Sequence, residues 1–137
     1  MSKLLVDLNV WIDLASVGGD YAVSSKFIRL ARERSDSICF PLAGYTAVYY
    51  VLRKIIGGRA SVDFLVELSE GWVRMLAFGP QELAIAQSLT VMKDHEDASI
   101  SATAITNRCS TIVTWNVKDF KNSPIKALTP EQVMTVS

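Results

Sequence analysis

Residues 4–14 read LLVDLNVWIDL, an apolar run that ends in a carboxylate, Asp7, before a short helical stretch begins. Leu4-Leu5-Val6 has the unbroken apolar character of a strand buried on both faces, as in a parallel sheet. Ligands of open parallel sheets sit beyond the carboxyl ends of the strands, so an acid placed there is a candidate for a site. Whether it forms one depends on which other acids reach the same edge.

Outward from this stretch, strand-like and helix-like segments alternate. Lys3–Val6 reads as a strand, and Asn9–Ser16 as a brief helix closed by Gly18-Gly19. Residues 22–34 carry Phe27, Leu30 and Ala31 at helical spacing with charges between them, an amphipathic helix. Ser37–Phe40 is β-like and Pro41 breaks it. Residues 42–56 are predicted as one long helix stopped by Gly57-Gly58, and Ser61 as the cap of a helix over residues 62–69 with Phe64, Leu65 and Leu68 as its apolar stripe. Residues 72–76 form a third candidate strand. Gly79-Pro80 opens a helix to about Met92, and another runs from about Asp94 to Asn107. Residues 111–114 are rich in β-branched side chains, and residues 125–128 give a short last strand. Strands alternating with helices, with enough chain between them for crossovers, predict a parallel sheet covered by helices on both faces.

The bulk properties suit one globular domain over residues 1–137: half of the chain is apolar and a fifth is charged. Lys+Arg and Asp+Glu are equal at 14 each, so no overall basic field attracts a polyanion and a local patch would have to do so. Cys39 and Cys109 lie in apolar surroundings without metal-ligand spacing and read as reduced packing residues, which fits a cytoplasmic protein. No signal sequence opens the chain and no apolar run approaches the roughly 20 residues a bilayer needs, so neither secretion nor a membrane location is expected.

Three places deliver acids to the predicted carboxyl edge. Asp7 follows the first strand; Asn116 and Asp119 follow the fourth, in TIVTWNVKDF; Asp94 and Asp97 begin a helix in DHEDASIS, three residues apart and on one face, with Glu96 expected to point elsewhere. Each has an ordinary structural use. Asp94 and Asp97 suit the cap and third position of their helix, Asn116 to Asp119 suits a turn, and Asp7 suits a helix cap. Arriving together, they would repel one another, and a divalent cation removes that cost. Mg²⁺ and Mn²⁺ favour carboxylate and water ligands, polarise a phosphodiester oxygen and make water acidic enough to attack phosphorus. The lone His95 reads as solvent-facing, Tyr49-Tyr50 as a packing face, and Arg53, Lys54, Lys118 and Lys121 as surface cations able to contact phosphate. No phosphate-binding glycine loop, dinucleotide fingerprint or nucleophile–histidine pair is present.

The stretches VDLNVWIDL, AVYYVLRK, DHEDASISATA and TIVTWNVKDFKNSPIKALTPEQV, taken in this order, resemble the successive blocks of the PIN-domain family, and within it the small VapC-type toxins of prokaryotic toxin–antitoxin pairs. The resemblance runs along nearly the whole chain. It implies a three-layer α/β/α sandwich with a central parallel sheet and a Mg²⁺- or Mn²⁺-dependent ribonuclease that hydrolyses RNA. By position, Asp7, Asp97 and Asp119 match the catalytic, metal-holding acids, with Asp94 as an auxiliary ligand. Asn9, Thr114 and Asn116 match residues that orient those ligands by hydrogen bonds. The resemblance further implies an antitoxin partner and a homodimer. One block departs from the pattern: Ala47 stands where the family has an acid, and alanine cannot ligate a metal. A PIN-like module impaired in catalysis, which binds RNA or a protein partner, is therefore the competing expectation. Two other acid-site folds fail on the residues. Residues 72–76 offer no phosphoacceptor Asp for a receiver domain, and Asn9 stands where a haloacid-dehalogenase-type phosphatase needs an acid.

Overall fold

Five short strands, β1 (Lys3–Val6), β2 (Ser37–Pro41), β3 (Arg74–Leu76), β4 (Thr111–Val113) and β5 (Ala127–Leu128), pair in parallel in a computed structural model that describes residues 1–136. Their order across the sheet is β3-β2-β1-β4-β5. The first strand is thus the middle one, with Leu4 opposite both Ile38 and Thr111. Leu4, Leu5 and Val6 are all buried, as are Thr111, Ile112 and Val113, although consecutive residues of a strand face opposite ways. Both faces of the sheet are therefore covered, giving the expected helix–sheet–helix layering.

The helices are α1 (Leu8–Ser16), α2 (Tyr21–Glu33), α3 (Tyr45–Ile56), α4 (Gly58–Glu70), α5 (Pro80–Ser88), α6 (His95–Thr106) and α7 (Pro130–Thr135). Helix α1 is pinned to the strand before it at two points. Asp7 caps it through its side chain, and the Trp11 indole N–H donates to the Val6 carbonyl at 2.9 Å. No helix among the described residues is long and apolar enough to cross a membrane. Cys39 and Cys109 are both free and buried.

Several sequence expectations need correction. The helix expected over residues 42–56 is a 3-10 turn, Leu42–Gly44, followed by α3, and Pro41 belongs to β2. Proline at a strand end already has extended backbone. Gly44 lies so close to Leu8 that a Cβ there would overlap its side chain, and this close approach is what seats α3 against the start of α1. Ser61 caps nothing: α4 begins at Gly58 because Gly57, at φ 88°, turns the chain in one residue. The Ser61 hydroxyl donates back to the Gly57 carbonyl at 2.7 Å inside the helix. Helix α5 stops at Ser88 rather than near Met92, where β-branched Thr90 and Val91 follow. The packing face read at Tyr49-Tyr50 is only half right: Val48 and Leu52 are the buried residues of α3, while Tyr50, Val51 and Ile55 are exposed.

Candidate active site

Across β2, β1 and β4 the chain progresses in one direction from β1 to β2 and resumes on the other side at β4, so the gap between β1 and β4 is where the strand order reverses. Open α/β sheets place their ligands at this point. Here the edge holds a cleft of about 320 Å³ walled by Asp7, Asp94, Glu96, Asp97, Asp119 and Asn116, with Leu8, Asn9, Ile12, Ala47 and Val51 completing it. Every acid picked out from the sequence reaches this cleft. Thr114 stands behind Asp7, and Asn116 is itself a wall.

Asp7 is the fixed member, only 7% exposed. Its Oδ1 accepts from the Leu8 N–H at 2.8 Å and its Oδ2 from the Thr114 hydroxyl at 2.8 Å. The direction of that second bond is dictated by its surroundings. Thr114 Oγ1 already accepts from the Asn9 amide at 3.2 Å and from the Asn116 N–H at 3.0 Å, so both lone pairs are used and its one hydrogen must go to Asp7. Asn9 is held in turn, its Oδ1 accepting from the Trp115 N–H at 3.2 Å. Asn9 and Thr114 thus set the angle of Asp7 through a chain of hydrogen bonds.

Asp94 caps α6, its Oδ1 accepting from the Asp97 N–H at 3.0 Å. Its structural and its site position are the same position. Glu96 corrects the sequence reading, since it faces the cleft instead of turning away. Helical side chains lean toward the helix N-terminus, so those of a first turn project past the end of the helix, and the two methylenes of glutamate extend this reach. Spacing along one helix face misses such a residue; its place in the first turn is the signal that finds it.

Burial, and then the neighbouring charges, raise the affinity of Asp7, Glu96 and Asp97 for protons. Burial pushes the Asp7 carboxyl up, against its two hydrogen bonds, and the charge of Asp119 pushes it further. Asp97 is pushed up to about 7, by burial first and then by Asp94, Asp7, Asp119 and Glu96. Glu96 is raised by partial burial, then by Asp94 and Asp7. The walls carry five carboxylates and no Lys or Arg to offset them. They offer hard oxygen donors only, with no thiol or imidazole, which fits Mg²⁺ or Mn²⁺. Among the described residues, no three Asp, Glu, His or Cys side chains are close enough to enclose a cation unaided. A hydrated ion keeping several water ligands suits such an open set.

The chain matches the PIN domain family over residues 3–118. It belongs to that family. Solved structures share the fold of this PIN domain at low sequence identity. VapBC2 from Rickettsia felis, solved bound to a DNA fragment of its promoter, is 17% identical with a TM-score of 0.73, covering 93% of this chain and 98% of that one. VapBC-1 from nontypeable Haemophilus influenzae is 16% identical with a TM-score of 0.69, covering 94% and 98%. VapC20 from Mycobacterium tuberculosis, a toxin that cleaves the sarcin-ricin loop, is 17% identical with a TM-score of 0.66, covering 80% and 86%. No curated protein matches this PIN domain significantly in sequence.

Proposed function

We propose that this PIN domain is a Mg²⁺- or Mn²⁺-dependent endoribonuclease, the toxin of a toxin–antitoxin pair. The reading rests on five carboxylates gathered without a counter-cation in one cleft at the sheet's switch point. Asp7, Asp97 and Asp119 are the catalytic acids that hold the metal, with Asp94 and Glu96 beside them. A bound ion would supply Lewis acidity toward the phosphodiester and make water a competent nucleophile at neutral pH. Thr114 and Asn9 hold Asp7 in one orientation, and Asn116 offers an amide to a phosphate or a water at the rim. Asp97, pushed up to about 7, holds a proton near neutrality more readily than an ordinary carboxyl, and a bound cation would favour its ionised form.

The antitoxin reading draws on the relatives of shared fold that were solved as toxin–antitoxin assemblies. In this chain Val51 is exposed on α3 with Tyr50 and Ile55 and also walls the acidic cleft. A segment lying on α3 would therefore reach the site itself. The same face is our proposed homodimer surface, and the cytoplasm our proposed location.

The test is cleavage of a panel of structured and single-stranded RNAs by the purified protein with Mn²⁺, Mg²⁺ or EDTA, beside Asp7→Asn and Asp97→Asn variants shown to be folded. Metal-dependent cutting lost in both variants is the expected result. Ala47, a methyl group on the cleft wall, favours a second reading, a module that binds RNA or protein without cutting. No cutting by any form, together with no metal-induced rise in melting temperature, would select it.

A further inference from the structure

A second cleft, of about 390 Å³, opens on the other side of the same acids. Asp94, Asp97 and Asp119 are common to both clefts, and the remaining walls of the second are Val91, Met92, Lys93, Lys118, Lys121 and Asn122. It is built from two loops. One is the segment between α5 and α6, which carries Lys93; the other is the 3-10 turn Val117–Phe120 with its exit, which carries Lys118 and Lys121. Asn122 ties them together, its side-chain amide donating to the Val91 carbonyl at 3.3 Å.

The three lysines are exposed and uncommitted. The only ion pair among the described residues is Arg59–Asp63, so none of the three ammonium groups is neutralised by the acids that share their cleft. The two clefts therefore form one trough with a polarity: carboxylates alone at the α3 end, lysines at the other, and shared acids between them. A chain with no net charge has concentrated cations beside the one place where a polyanion would otherwise be repelled. Flexible ammonium groups serve phosphates as point charges. None of the walls is aromatic, so bases find no stacking platform there.

We infer that Lys93, Lys118 and Lys121 form a phosphate track that holds the backbone of a single-stranded polynucleotide on one side of the cut, feeding it over Asp94, Asp97 and Asp119 from the lysine end. This rests on the ribonuclease reading for the identity of the strand, but the track binds whether or not the strand is cut. It contacts phosphates and not bases, so it tolerates any sequence on that side.

The test is binding of short fluorescein-labelled single-stranded RNA, followed by anisotropy over a range of salt with Mg²⁺, in the full chain carrying Asp97→Asn so that the RNA stays intact. Replacing all three lysines by alanine should weaken binding at least about tenfold and reduce the slope of log affinity against log salt by about 2, as expected for three lost contacts to a single strand. Oligo(A) and oligo(U) should lose equally. Replacing the three by arginine should retain binding, and Lys26→Ala, on α2, should change nothing. Unchanged affinity and slope in the triple alanine variant, or no binding by the parent, overturns the track. Cleavage by the wild type with an unaffected triple variant would reject the track and leave the ribonuclease reading standing. Loss of binding in the triple variant beside a wild type that never cuts would do the reverse.

Discussion

Asp97 shows at the level of one residue how site and stability oppose each other. Unfolded, its carboxyl ionises near the ordinary 3.8; folded, it does so near 7. Between these values the folded chain binds a proton that the unfolded chain does not, so this group's contribution to stability declines as pH rises through that window and stays low above it. In EDTA at pH 8, Asp97→Asn should therefore melt higher than the wild type, and the difference should shrink as pH falls toward 4. Mn²⁺ should raise the melting temperature of the wild type, and the same variant should lose most of that rise. Thermal denaturation across pH, with and without metal, reads both; equal melting temperatures at every pH would mean that Asp97 carries no such repulsion. Asp7, Asp94 and Asp97 could be found from sequence because each directly follows a strand or lies at the start of a helix, and Asp119 because it lies in the turn after the fourth strand. Glu96 could not, because its direction depends on where a helix ends, and Tyr50 was misplaced because an apolar residue does not say whether its partner lies in the same chain.

Among the elements, α6 does two jobs with one side chain. Asp94 satisfies the Asp97 N–H at the start of the helix and also faces both clefts. Substitution separates the roles. Asp94→Ala should cost about 1 kcal/mol of stability through the lost cap, whereas Asp94→Ser keeps a capping oxygen and should recover most of it. Metal titration followed by isothermal calorimetry should show weakened binding in both. If serine restored metal affinity along with stability, Asp94 would be a cap and nothing more. The strands and most helices were legible because their apolar periodicities differ. Element ends were less so, since they depend on contacts between segments: Gly44 against Leu8, or Gly57 turning α3 into α4. Helix α7 went unread despite a clear signature, Thr129 with Pro130 and a reciprocal bond from Gln132. Its last turn is secured from afar, the Arg34 guanidinium donating to the carbonyls of Val133, Met134 and Val136 at 3.0–3.4 Å.

At the scale of the molecule, the exposed apolar residues of α3 bear on assembly. Sedimentation velocity at rising concentration should show a dimer, and Tyr50→Glu with Ile55→Glu should leave a folded monomer; a wild type that stays monomeric at every concentration would remove α3 as a self-association face. The parallel, doubly wound arrangement was readable in advance because strands and helices alternate along the chain, but the order of strands was not, since it is decided by which edges meet. That order has a consequence in time. The first strand sits between β2 and β4, so Asp7 gains Thr114 and Asp119 as neighbours only after more than a hundred further residues have been made. A growing chain on the ribosome carries Asp7 from the outset without a site around it. The acidic cleft therefore comes into being late, when the fourth strand docks beside the first and brings Asp119 to its edge.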